Sequence, residues 1–463
     1  MKKTAALSVD IVVIGGGSAG LSAAFRAAEQ GVRVCVVEYE KLGGECPNWA
    51  CVPTKAMLKA ASLYHTMRRD GARFGVRAKG LTLDVHALMK RKDAVVDVIT
   101  GSGKRMRKAL DEAGIEVVRG RATFTGKTTI SVGERVIKAK SFIVATGSRE
   151  YVPPIDGVDD VPVLTFRDAV SLKRLPESIV IIGGGPVGCE FATFFAKCGV
   201  RTTLMHIGPQ LLSREDAELA GMAAERLRDV YVGLVPKCKV LSLRKSGKRV
   251  CVTYQSGTAT RKTVMVDAVM LATGRRPNSD GLALEKAGAT FDAEGHLRID
   301  AALRVAPRVF AAGDVTGEWQ FTHVAHHAGV LAADNAVRSL RHAPPKRMRL
   351  DVVPHVTFID PELASVGMTA EEAVSAGCAI DIKRFPVGAL GRAVVDGKRE
   401  GMFKVILDQS SGKILGAHLL SDRAGEVIHE VALAMHLGAR WDDVASMMHA
   451  YPTYSEVIPA AMG

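Results

Sequence analysis

Residues 43–55 read GGECPNWACVPTK, with two thiols, Cys46 and Cys51, separated by four residues and followed by Lys55. Thiols this close can ligate a metal, close a disulfide or occupy two separate core positions. A zinc site needs two further ligands at suitable spacing, and no CxxC partner is evident. A purely structural disulfide is disfavoured in a reducing compartment. In a regular helix, residues five apart have Cα atoms about 8–9 Å apart, whereas a disulfide needs about 4.4–6.8 Å. If the thiols bond, the segment is not regular helix. Pro47 lacks a backbone donor and is tolerated in a first helical turn. The pattern predicts a helix that begins irregularly here and continues through PTKAMLKAASLYHTM. A helix N-terminus favours thiolate over thiol.

A second chemistry is written twice. DIVVIGGGSAGLSAAFRAAEQGVRVCVVE runs over 10–38, and SIVIIGGGPVGCEFATFFAKCGVRTTLMH runs over 178–206. Each reads as a short apolar strand, a GxGxxG turn, an amphipathic helix, a glycine and a second strand, which is a βαβ unit. Gly15 and Gly183 permit the tight turn. Gly17 and Gly185 let backbone approach a pyrophosphate, and Gly20 and Gly188 let helix and strand pack closely. The helix N-terminus, beginning at Ser18 and Ala19 in the first unit, offers unpaired N–H groups to phosphate.

Later strands complete each unit. SFIVATGSRE (141–150) contributes Ala145, Thr146 and Gly147, and VMLATGRRPN (269–278) contributes Gly274. VFAAGDVTG (309–317), with Gly313 and Asp314, is a further apolar strand, so the first domain is expected to resume after the second. From about residue 346 the character changes. FKVILD and KILGAHLL form a hairpin pattern, and EVIHEVALAMHLGA has apolar residues at helical spacing. The expected fold class is α/β: two Rossmann-like nucleotide-binding domains, one inserted in the other, plus a C-terminal α+β domain. The expected boundaries are 1–150, 151–275, 276–345 and 346–463.

Composition fits this reading. At 463 residues, with 47% hydrophobic and 24% charged residues, the chain is globular and too long for one ordinary core. The net charge of +13 permits attraction to nucleotides, acidic proteins or membrane surfaces. The basic clusters are short, at Arg68-Arg69, 104–108 and 338–349, and read as solvated faces. No nucleic-acid motif stands out. Met1-Lys2-Lys3 precedes an apolar run that Asp10 interrupts, without a cleavage pattern. The apolar stretch 178–200 carries three glycines, Pro186, Glu190 and Lys197, against a membrane helix. The eight scattered cysteines do not resemble a secreted framework. A cytoplasmic protein with neither nucleic-acid nor membrane partner is expected.

The motifs GGGSAG, GGECPNWACVPTK, ATGSR, GGGPVGCE, ATGRRPN, AAGDVTG, DPELASVG and YPTYSE occur in this order over essentially the whole chain. Together they resemble the flavin-dependent pyridine-nucleotide disulfide oxidoreductases, which include lipoamide dehydrogenase, glutathione reductase and mercuric reductase. The resemblance implies that the first unit binds FAD, with Glu38 accepting the adenosine ribose hydroxyls, Asp314 contacting the ribityl chain, and Gly44 and Lys55 beside the cofactor. The second unit would bind NADPH or NADH, with Glu190 pairing with Lys55 at the nicotinamide pocket. It further implies a redox-active Cys46–Cys51 disulfide, in which Cys51 faces the flavin and Cys46 the acceptor. The C-terminal domain would form a homodimer with shared active sites, Tyr451 and Glu456 acting on the partner subunit's Cys46. No resident metal is expected.

The chain departs from the pattern at one informative place. Disulfide-reducing members carry His before Pro-Thr; here the motif is HAYPTYSE, with Tyr451 in that position and Glu456 retained. Histidine titrates near neutrality and tyrosine near 10, so Tyr451 shuttles protons poorly at pH 7. Mercuric reductases also lack that histidine. A metal ion or small electrophile is therefore expected as acceptor rather than lipoamide or glutathione, although the paired C-terminal cysteines and N-terminal metal-capture domain of mercuric reductases are not expected here. His449, two residues before Tyr451, is a candidate substitute acid if the chain is extended. His323, His326 and His327 read as packing or flavin-edge residues. His206 stands where NAD-preferring sites carry an acid; with Arg214 it points to NADPH. The alternatives are a dihydrolipoyl dehydrogenase and, outside catalysis, a basic redox-sensing flavoprotein that binds nucleic acid or membrane.

Overall fold

The computed structural model describes residues 7–462; Met1-Lys2-Lys3 and Gly463 lie outside them. The chain divides into two compact units. Among the described residues, one comprises 7–56, 90–151 and 275–349, and the other 57–89, 152–274 and 350–462.

In the first unit a parallel sheet is built around strand Leu7–Ile14. Val34–Glu38 pairs with it on one side and Arg135–Val144 on the other, both in parallel register. Glu116–Arg119 extends one edge, and Val309–Ala311 pairs parallel with Arg135–Val144 on the other. The return of residues 309–311 to this sheet realises the expected interruption of the first domain. The strands alternate Ile11 and Val13 on one face with Val12 and Ile14 on the other, and all four are buried. Both faces are therefore covered, as parallel sheets require. On the Ile11–Val13 face lie helices Ser18–Glu29 and Thr322–Leu340. The opposite face buries Phe124, Ile130 and Phe142.

The two helices meet through small residues. A Cβ on Gly329 would lie 2.1 Å from the Ala19 carbonyl oxygen, so only glycine permits this crossing. Arg26 and Lys346 both pair with the buried Asp334, tying the segment after the second helix to the first.

In the second unit, Ser178–Ile182 is flanked in parallel by Arg201–Met205 and Ala268–Leu271. A three-stranded antiparallel sheet follows, over Cys238–Ser246, Arg249–Ser256 and Lys262–Val266. The C-terminal portion is a five-stranded antiparallel sheet. Its hairpin Met402–Asp408/Ile414–Ser421 lies where the sequence pattern predicts it, and helix Ala424–Leu437 packs with the same core.

Buried charges bind distant segments of this unit. Lys197, at the end of helix Pro186–Lys197, is paired with Asp360 and donates to Ser62 Oγ at 2.9 Å. Lys398 donates to Asp360 Oδ1 at 3.1 Å. Residues 57–89 join this unit through Ser62 and through Arg69, which donates to Asp229 O at 3.0 Å. A second cluster holds Lys404 on Asp216 at 2.7 Å and on Glu218 at 3.0 Å. Beside it, Glu215 accepts from Ser365 at 2.5 Å and contacts His355 Nε2 at 3.0 Å. His418 Nδ1 lies 3.0 Å from the same Ser365 hydroxyl.

Two predictions follow from packing and charge. Gly329→Ala is expected to destabilise the protein by about 1–3 kcal/mol through overpacking, read as a lower denaturant midpoint. Burial opposes ionisation of Asp360, but Lys197 and Lys398 outweigh it and hold the carboxyl down to about 2. A depressed carboxylate contributes stability that is full above its unfolded value and is lost as pH falls through its folded value. Stability is expected to drop between about pH 4 and pH 2. Asp360→Asn should flatten that limb and cost about 3 kcal/mol at neutral pH, both measured by denaturant unfolding across pH.

Candidate active site and nucleotide cradles

The two glycine turns have nearly the same geometry. A Cβ on Gly15 would lie 2.2 Å from Ala145 O, and one on Gly183 would lie 2.0 Å from Ala272 O. Cβ atoms on Gly20 and Gly188 would lie 1.8 and 1.9 Å from the carbonyls of Gly15 and Gly183. Each turn is thus pressed against the next strand and against its own helix. The middle glycines, Gly17 and Gly185, are N-caps without a side-chain capping bond. A Cβ on Gly185 would meet nothing within 4 Å, and on Gly17 only Gly44 Cα at 3.8 Å. Two helix N-termini therefore present uncapped N–H groups beside open space, which fits a pyrophosphate at each.

Glu38 ends its strand almost fully buried. Its carboxylate accepts from Gly16 N and Glu40 N, both at 2.6 Å, which orients it under the first turn. In the second turn the equivalent strand end is His206. It is buried against Gly184, burial lowers its pKa, and its Nδ1 has no partner among the described residues. His206 is therefore a neutral ring rather than an exposed cation. The loop that follows is pinned to the turn where Leu212 N donates to Gly184 O at 2.8 Å.

The thiol segment is broken as its sequence predicts. A single turn, Glu45–Asn48, ends at Trp49, and helix Cys51–Arg69 starts afresh. Cys46 and Cys51 are hydrogen-bonded to each other, and that bond, together with burial, pushes the Cys46 pKa up. Thr322 and the Lys55 ammonium, one helical turn beyond Cys51, act in the opposite direction. Cys51 Sγ is 3.7 Å from Thr322 Oγ1, and Thr322 O accepts from Ser18 Oγ at 3.1 Å. The thiols, the first turn and the start of helix Thr322–Leu340 are thus joined.

Asp314 follows its strand as expected and is partly buried; desolvation raises its pKa. Ser148 Oγ donates to Asp314 Oδ2 at 2.7 Å and accepts from Arg275 Nε at 2.6 Å. Arg275 is also paired with Glu45. Thr146 Oγ1 donates to Asn278 O at 2.7 Å, and Asn278 N donates to Gly147 O at 2.9 Å, so the strand ends carrying ATGSR and GRRPN clasp each other. Glu45, Ser148, Arg275, Asn278 and Thr322 were not singled out by sequence reasoning. The signal was the polar and charged residues inside motifs weighed only for glycine and cysteine.

In the second unit, Glu190 is buried on helix Pro186–Lys197 and accepts from Phe358 N at 3.1 Å. Tyr451 is 78% exposed, its phenol lying over Gly391. Glu456 Oε2 accepts from Thr453 N at 3.0 Å. His449 does not share Tyr451's exposure. Its Nε2 is 2.7 Å from Glu430 Oε1 and its Nδ1 is 2.8 Å from Met447 O, so both ring nitrogens are engaged. Leu433, Leu437, Met447, Met448 and Tyr451 form an exposed apolar set in this C-terminal portion. In the first unit His323 stacks on Phe321, and His326 Nδ1 is 2.6 Å from Ser22 Oγ. Among the described residues, no helix is long and apolar enough to cross a membrane.

Comparison with known proteins agrees with this geometry. Residues 9–329 match the pyridine nucleotide-disulphide oxidoreductase family, and residues 353–462 match its dimerisation domain. A mercuric reductase of Lysinibacillus sphaericus is 32% identical over 455 residues, covering 98% of this chain and 82% of that protein. A dihydrolipoyl dehydrogenase of Chlorobaculum tepidum is 32% identical over 464 residues, covering 99% and 97%. The HOCl-induced flavoprotein disulfide reductase RclA of Escherichia coli, solved as a Cu(II) complex, superposes with a TM-score of 0.85 at 30% identity, covering 98% of this chain and 99% of that one. The chain belongs to the pyridine nucleotide-disulphide oxidoreductases, FAD-dependent enzymes that draw electrons from NAD(P)H and carry a C-terminal dimerisation domain.

Proposed function

We propose that this enzyme reduces a thiol-reactive metal ion or small electrophile through a Cys46–Cys51 redox pair. The observation that carries the reading is Tyr451, an exposed phenol in the position where disulfide-reducing members carry histidine. A dithiol substrate needs its leaving thiolate protonated near neutrality, which a phenol does poorly. A metal ion bound between two sulfurs has no such need. Relatives of this chain are named for mercuric ion, and a solved relative holds Cu(II).

FAD, when bound, supplies the two-electron link between nicotinamide and the thiol pair. The first turn, with Gly15, Gly17, Ser18, Ala19 and Gly20, holds its pyrophosphate, and Glu38 its ribose. Asp314 holds its ribityl chain; Gly44, Lys55 and residues 145–147 complete the cradle. Gly183, Gly185, Gly188 and Gly274 frame the nicotinamide nucleotide. With no acid at 206 to repel a 2′-phosphate, we favour NADPH over NADH, although the buried, neutral His206 adds no charge to attract it. Glu190, buried on the helix that follows the second turn, would serve the nicotinamide nucleotide.

One NAD(P)H and one proton open the Cys46–Cys51 disulfide to two thiols. The dithiol then returns to disulfide by passing the electron pair to the acceptor, one Hg(II) or two Cu(II) in succession, and releasing two protons to solvent. Cys46 would bind the acceptor, and Cys51 would face the flavin. The exposed apolar set around Met448 fits a homodimer. There Tyr451 and Glu456 would meet the partner subunit's Cys46.

Cys46→Ser is expected to abolish acceptor reduction while NAD(P)H still bleaches the yellow protein; full acceptor turnover would remove Cys46 from the reaction. Anaerobic reductive titration of the wild type should consume two electron pairs per subunit, one beyond the flavin's own. In parallel assays with NADPH and NADH, Hg(II) or Cu(II) should outpace dihydrolipoamide and oxidised glutathione. Tyr451→His should raise the dihydrolipoamide rate by about tenfold or more. An already ordinary dihydrolipoamide rate in the wild type would favour a dihydrolipoyl dehydrogenase instead.

A further inference from the structure

The chain of contacts Glu45–Arg275–Ser148–Asp314 lies within the first unit and joins four segments distant in sequence. Arg275 stands between two carboxylates. It pairs with Glu45, and its Nε lies 3.9 Å from Asp314 Oδ2. The side chains of Arg275, Glu45 and Asp314 are 19%, 24% and 23% exposed, so none of these charges is well hydrated. Arg275 Nη2 also donates to Ser148 O at 2.9 Å, and the Ser148 hydroxyl bridges Arg275 Nε to Asp314. A guanidinium makes these contacts at once because its donors form a rigid fork; an ammonium does not. Glu45 begins the single helical turn that carries Cys46 as its next residue.

We propose that Arg275 is a positioning residue for the redox turn: through Glu45 it fixes the segment that presents Cys46, and through Ser148 it fixes the carboxylate of Asp314. The inference rests on the reading of Cys46 and Cys51 as the redox pair and of Asp314 as a flavin contact. Its electrostatic consequence is specific. The side chain of Asp314 is destabilised as an anion by burial first; Ser148 and Arg275 relieve this, while Glu45 adds to it. Without the guanidinium, two half-buried carboxylates face each other, and an uncompensated charge stands beside Cys46. Both FAD retention and thiolate formation at Cys46 then suffer. Removal of the second carboxylate relieves both.

The test uses holoenzyme variants R275Q, R275K, E45Q and E45Q/R275Q, with two readouts. One is FAD release on dilution, followed by flavin fluorescence. The other is the rate of iodoacetamide alkylation of Cys46 in anaerobic, NAD(P)H-reduced protein, mapped by mass spectrometry. R275Q is expected to release FAD about tenfold faster and to alkylate about tenfold more slowly than wild type, the size of a one-unit shift in pKa. E45Q/R275Q should return to within about threefold of E45Q in both. A double variant no better than R275Q overturns the proposal, as does an R275Q indistinguishable from wild type. Should R275Q not accumulate, R275K decides: it should keep the alkylation rate within about threefold of wild type yet release FAD faster. A lysine equal to arginine in both readouts overturns the positioning role. Wild-type protein whose Cys46 stays unreactive after reduction removes the redox pair itself, whatever the variants do.

Discussion

Two backbone contacts with no room for a side chain set the geometry on which the rest depends. At Gly15 and Gly183 the chain turns against the carbonyls of Ala145 and Ala272 at distances no Cβ tolerates. Those contacts aim each helix N-terminus outward from the sheet, and they place ATGSR and its counterpart ATGRR at the lip of each turn. The polar residues that follow these alanines inherit their positions from the packing. Ser148 reaches Asp314 because the strand end before it is fixed.

Much of this was legible because the constraint is steric and leaves a sequence trace. Only glycine fits at those turns, so the duplication could be read directly, as could the parallel strands around it. The broken helix at Cys46–Cys51 was legible for a related reason: two thiols at this spacing can bond only where the helix is irregular. The C-terminal hairpin and helix followed from apolar periodicity.

Other features left no such trace. Arg275, Glu45 and Ser148 are ordinary polar residues in sequence, and only the fold converts their separation of more than a hundred positions into a contact. His449 shows the opposite limit. A two-residue offset from Tyr451 implied a shared face, but this requires an extended backbone. The chain there is irregular, and the carboxylate of Glu430 claims the ring. His206 was read by position as pointing to NADPH, whereas burial keeps its ring neutral. Sequence gives a residue's place along the chain; its charge state depends on burial and neighbours.

The buried Lys404–Asp216 pair has a consequence for how the protein is made. Its partners are 188 residues apart, and both are almost fully removed from water in the finished unit. While a ribosome is still elongating the chain, Asp216 and Glu215 have been synthesised but their partners Lys404 and His355 have not. Closing that region early would bury unmatched anions, at a cost of several kcal/mol each. The second unit therefore completes itself only after its last hundred residues emerge. A release of the chain before that point leaves its nucleotide-binding half without the charges that hold it shut.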